Sequence, residues 1–129
     1  MLPYRKAITS GVQLVMPSWA LYPSIDSKFP SGLSKTMLQT YLRGQLGFKG
    51  VTISDAIEAG GLKAFGDDPN RSMLAINAGM DIILAAARDV SQGVKIVEKI
   101  TKELDAGSLD AQEFQASVDR IVSLRKGIA

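Results

Sequence analysis

The 129-residue sequence contains no cysteine and no histidine. Without cysteine there is no disulfide framework and no thiolate metal site. Without histidine this chain cannot by itself build a Ser-His-Asp triad, a Cys-His pair or a histidine-based zinc site. Acid–base chemistry falls to carboxylates, lysine, tyrosine or a group from another polypeptide. No metal and no cofactor is expected. Apolar runs are short, none approaching the roughly 18 residues of a membrane span. The opening "MLPYRKAITS" lacks the apolar core of a signal peptide. A cytoplasmic location without membrane contact is therefore expected. Excess charge is also scarce: 15 basic and 13 acidic side chains leave a net charge of +2. The cations are scattered rather than striped, which argues against a nucleic-acid partner. The Gly60-Gly61 pair sits in neither a Walker-type nor a dinucleotide-type glycine pattern, so nucleotide binding is rejected.

What is present is enough apolar material for a core, at 46% hydrophobic and 22% charged. The length fits one domain, 1–129. Three short runs, "GVQLVM" (11–16), "GVTIS" (50–54) and "MDIILAA" (80–86), are nearly continuous in Val, Ile and Leu. Continuous runs suit parallel strands buried on both faces. A helical pattern follows each one. Residues 34–47 offer Ser34 as N-cap and Gly47 as a stop. Residues 67–80 offer Asp68 as N-cap, Pro69 as the first helical residue and Gly79 as C-cap. Residues 89–107 align Val90, Val94, Val97, Thr101 and Leu104 on one stripe. A last helix starts with a capping box, Asp110 and Glu113, a Leu109–Phe114 staple, and an inner face of Phe114, Val118, Ile121, Leu124 and Ile128. The expected fold is α/β with right-handed crossovers.

Two long connections, 17–32 and 55–68, leave the carboxyl ends of the first two strands, where α/β folds bind ligands. Asp55 follows Ile53-Ser54 at such an end. A carboxylate there suits a nucleophile, a metal ligand or a binding group, and equally a loop acid that bonds nearby amides.

The stretch "LSKTMLQTYLRGQLGFKGVTISDAIEAGGL" (33–62) resembles the segment of family 3 glycoside hydrolases that carries the catalytic aspartate. Leu33, Ser34, Leu42, Arg43, Leu46, Gly47, Phe48, Gly50 and Asp55 fall in the family's pattern. Met16 and Pro23 before it, "AINAGMDIIL" after it, and Ser117, Val118, Arg120 and Ile121 in the last helix extend the match over nearly the whole chain. The resemblance implies a partial TIM (β/α)8 barrel, about three parallel βα units plus a C-terminal helix. It implies retaining hydrolysis of a β-glycoside or β-N-acetylhexosaminide, with Asp55 as nucleophile. Met16, Ser18 and Trp19, at the start of the first long loop, become candidate substrate contacts. Trp19 stands at or near a position where the family often has a histidine, and it either stacks on a sugar or covers an interface edge. Ala59 replaces the methionine usual after the aspartate.

The family's acid/base is a histidine on an earlier barrel loop, or in the β-glucosidase branch a glutamate of a later domain; this chain has neither region. Glu58 is the only nearby nominee. Arg43 is expected to pair with an acid beneath the barrel, with Asp81 structural too and Ser54 a backbone bonder. A partial barrel leaves open edges, so a homodimer or a partner chain that completes the barrel is expected, with a carbohydrate as substrate. Two other readings are a non-catalytic sugar-binding or structural remnant, and an unrelated flavodoxin-type domain that needs only βα alternation.

Overall fold

The computed structural model describes residues 2–128. Among them, three strands form one parallel sheet in the order β1–β2–β3: Leu14–Val15, Val51–Ala56 and Ile82–Leu84. The expected βα alternation and partial-barrel architecture are present. A π-wound helix, Thr36–Gln45, links β1 to β2. Helix α2, Asp68–Ala78, links β2 to β3. Helices α3, Val90–Asp105, and α4, Ala111–Lys126, follow. A short helix α1, Leu2–Thr9, precedes the sheet; the sequence reading did not anticipate it, and it buries no residue.

The first strand is shorter than its apolar run. Leu14 pairs with Val51 and Val15 with Thr52, and among the described residues β1 has no partner on its other side. With one neighbour only, ladder pairing is confined to the two residues that face β2.

The helix before β2 begins as its sequence requires: the Ser34 hydroxyl accepts a hydrogen bond from Met37 N at 3.1 Å. Its turns are wider than α, closing with a five-residue bond from Leu46 N to Tyr41 O at 2.9 Å. In α2 the cap is one residue earlier than expected. Asp67, not Asp68, accepts from Asn70 N at 3.0 Å, so Pro69 is the second helical residue. Gly79 ends the helix at φ 105, a left-handed conformation that L side chains rarely adopt. In α4 Asp110 caps Gln112 N and Glu113 N as expected, and Leu109 is buried.

The core joins the π-wound helix, the segments flanking β2, α2 and α3 through Leu38, Leu42, Phe48, Ile57, Ala75 and Ile96. Burying a side chain of this size contributes about 1.5–3 kcal/mol. In α3 the inward side centres on Gln92 and Ile96, with Ile100 partly buried. The expected stripe is a neighbouring one, and Val90, Val94 and Val97 are exposed. On α4, Phe114, Val118, Ile121 and Leu124 are half-buried as expected, whereas Ile128 is exposed.

Candidate active site

Asp55 lies inside β2 rather than just after it, because the strand runs to Ala56. The sheet register changes there. Ile53 pairs with Ile82 and Ala56 with Leu84, so β2 advances three residues while β3 advances two. This is a β-bulge, a device that redirects one side chain without ending the sheet. The bulge disturbs the ladder, and Ser54 repairs it: its buried hydroxyl accepts from Leu84 N at 2.9 Å. Ser54 is thus the backbone bonder expected of it.

Asp55 itself is exposed. Among the described residues its Oδ1 accepts only from the next amide, Ala56 N, at 2.7 Å. A rigid strand therefore holds a carboxylate with free lone pairs at the carboxyl end of the sheet. That is the face where α/β enzymes assemble their sites.

Trp19 braces the same spot. Its Nε1 donates to Ala56 O at 3.0 Å, across from the loop after β1. Its ring lies against Gly32 so closely that any side chain at 32 would collide with it. The indole N–H is thus committed to the strand end beside Asp55. Ser18 is exposed and its Oγ accepts from Ala20 N at 3.3 Å. Met16 is exposed at the end of β1. These three and Asp55 lie on strand ends and loops of one side of the sheet.

Glu58 does not fit a general acid. Burial pushes its carboxyl up, but hydrogen bonds from its own amide, Gln92 and Ala86 outweigh this and hold it below the ordinary range. It is ionised near neutral pH and has no proton to give.

The opposite end of the sheet carries a buried ionic cluster. Asp81 Oδ2 meets Arg43 Nη2 at 2.7 Å, Thr52 N at 2.8 Å and Thr52 Oγ1 at 3.1 Å. Its Oδ1 meets Arg120 Nη2 and Ser117 Oγ, both at 2.6 Å. Arg43 pairs with an acid beneath the sheet as expected, and the acid is Asp81. What sequence reasoning missed is that Ser117 and Arg120 complete the cluster. Their i, i+3 spacing on one face of α4 was the available signal.

Parallel βα units with a bulge-borne carboxylate at their carboxyl ends define part of a (β/α) barrel of enzyme type. The model of the glycosyl hydrolase family 3 N-terminal domain matches residues 1–124, and the chain belongs to that family. It is 51% identical over 128 residues to a protein of Arthroderma benhamiae described as an uncharacterized secreted glycosyl hydrolase, a match covering 99% of this chain and 36% of that one. It is 42% identical over 84 residues to a beta-hexosaminidase of Methylobacillus flagellatus, covering 65% of this chain and 24% of that one. Among solved structures, a beta-N-acetylhexosaminidase from Beutenbergia cavernae superposes with a TM-score of 0.89 at 31% identity over 97% of this chain and 37% of the other. A family 3 beta-N-acetylglucosaminidase from a Paenibacillus species gives 0.90 at 29% identity, covering 96% and 24%. The chain thus spans about a quarter to a little over a third of these relatives.

Proposed function

We propose that this chain carries the nucleophile of a retaining β-N-acetylhexosaminidase, with Asp55 as that nucleophile. The carrying observation is the exposed Asp55 carboxylate on a bulge at the carboxyl end of the middle strand, its neighbours tied by Ser54 and Trp19. An Asp55 oxygen attacks the anomeric carbon and the bond to the leaving oxygen breaks. The leaving oxygen takes its proton from an acid outside this chain, which has no histidine. Water then cleaves the glycosyl ester and restores the carboxylate. Met16, Ser18 and Trp19 border the substrate. Trp19 acts there by holding the Ala56 carbonyl and thus the strand end. The names of the bacterial relatives favour an N-acetylhexosaminide over a plain β-glucoside.

The partner is the rest of the barrel, supplied as further βα units. Three strands and no histidine also support the second reading, a non-catalytic remnant when the chain stands alone. For the cytoplasmic location expected from the sequence, the competing reading is export, which the fungal relative's name carries for that protein; fractionation of the source cells separates the two.

The test uses the chain assembled with the missing barrel units. A fluorinated N-acetylglucosaminyl donor with a good leaving group slows ester hydrolysis and leaves the nucleophile labelled. Trypsin cuts after Lys49 and Lys63, so the added mass is expected on peptide 50–63. Asp55→Asn is expected to abolish both label and turnover. Turnover of a nitrophenyl N-acetyl-β-glucosaminide by Asp55→Asn at the wild-type rate sinks the proposal.

A further inference from the structure

The residues flanking Asp55 are tied to several parts of the molecule. Ser54 holds Leu84 N, and Trp19 holds Ala56 O. Ile57 N donates to Leu84 O at 3.0 Å. The Ile57 carbonyl accepts from Arg71 Nη1 at 3.3 Å. The Glu58 carboxylate accepts from Ala86 N at 3.2 Å and from Gln92 Nε2 at 3.1 Å. From Gln92 the contacts run on. Its Nε2 also donates to Asp68 Oδ2 at 2.8 Å, and Asp68 Oδ1 accepts from the same Arg71 Nη1 at 3.0 Å. Since Ile57 and Glu58 are consecutive, these contacts close a ring.

The ring is built with little freedom. Gln92 is 7% exposed and Arg71 8%. The Gln92 amide faces two carboxylates with its NH2 while its Oε1 accepts from Ala87 N at 3.1 Å, so only one amide orientation satisfies it. Arg71 Nε is buried with no partner, a cost the fold carries at this position. Stability alone is a weak reason for such a ring, because apolar residues of similar size often serve as well as buried ion pairs. What the ring does supply is placement. The backbone two and three residues past Asp55 cannot shift without breaking contacts to α2, α3 and the loop after β3.

We infer that the ring of Glu58, Gln92, Asp68 and Arg71 positions the Asp55 carboxylate for attack, acting through the Ile57–Glu58 backbone. The inference rests on the reading of Asp55 as nucleophile. None of the four is a catalytic residue; each works by fixing where Asp55 sits. Reactive groups must be held closely, and a misplacement of about 1 Å costs on the order of a hundred-fold in rate.

The experiment takes the chain assembled with its missing barrel units and compares wild type, Gln92→Leu, Arg71→Met and the conservative Glu58→Gln. Wild-type labelling of peptide 50–63 comes first, because it decides the nucleophile independently of the ring. With that label in place, Gln92→Leu and Arg71→Met are expected to lose about a hundred-fold in kcat and in labelling rate, with KM and inhibitor affinity within about two-fold and Glu58→Gln within about five-fold of wild type. A kcat unchanged in both apolar variants, or a loss that tracks only the folded fraction, overturns the inference and leaves the nucleophile standing. An unlabelled wild type removes both. Hydrogen exchange on the chain alone gives a readout free of turnover: Gln92→Leu is expected to speed exchange at the Ile57 and Ala86 amides and leave Leu38 and Leu42 protected. Unchanged exchange at Ile57 and Ala86 overturns the ring's hold on the strand end.

Discussion

Asp81 keeps its charge with none of its side chain exposed. Burial pushes its carboxyl up, but hydrogen bonds from Arg120, Ser117 and Thr52 and the Arg43 charge outweigh that and leave it below the ordinary 3.8. A group whose pKa is lower when folded contributes stability that is whole above the unfolded value and lost as pH falls through the folded one. The urea midpoint is therefore expected to fall below pH 4. Asp81→Asn leaves Arg43 and Arg120 without their shared anion. It is expected to lose about 3 kcal/mol or more at pH 7 and to show a shallower acid slope. Some slope remains, because Asp26, Glu58, Asp89 and Glu103 are lowered too. Equal acid slopes for variant and wild type would show that Asp81 carries none of the effect. The Arg43 partnership was legible in the sequence because it came with a family pattern. Ser117 and Arg120 also fell in that pattern and share one face of α4, but nothing in α4 alone says which strand end they lie beneath or that Asp81 is the acid they meet.

Element by element, the sequence showed best what local chemistry decides. Continuous apolar runs located all three strands, and the Ser34, Gly79 and Asp110 caps located helix ends. It showed worst what depends on a neighbour. The β1 ladder is two residues long because only one strand flanks it. The α3 stripe was one face off, because Ile96 rather than the valines meets the core. The bulge at Ser54–Asp55 is a relation between two strands, so no pattern within β2 announces it. Yet it determines where Asp55 points. Ser54→Ala removes the acceptor for Leu84 N from a fully buried position. Leaving that donor unpaired is expected to cost about 1–3 kcal/mol by urea unfolding. Hydrogen exchange at Leu84 should rise with it, and protection at Leu84 equal to wild type would show that another acceptor carries the bulge.

As a whole molecule, the chain is a sheet with two open sides. Among the described residues β1 lacks a neighbour beyond it, and so does β3. Beside β3 runs an apolar groove of about 500 Å3, with Ile82, Ile83, Val97, Ile100 and Ile121 among its lining residues. Val90, Val94 and Val97 are exposed along α3. Copies joined head to tail keep strands parallel but add three at a time, and multiples of three do not reach the eight strands of a closed barrel. A single partner with the remaining βα units does, which favours a partner piece over the homodimer. The chain is accordingly expected to form a 1:1 complex with such a piece, read as a single mass by sedimentation. Val97 is 62% exposed in the chain alone. Val97→Asp should leave the unfolding midpoint within about 0.5 kcal/mol of wild type, as exposed substitutions do. It should weaken the complex by at least about ten-fold, because a charge is then buried in an apolar contact without a partner. Equal affinity for both chains would mean that this groove is no part of the contact with such a piece.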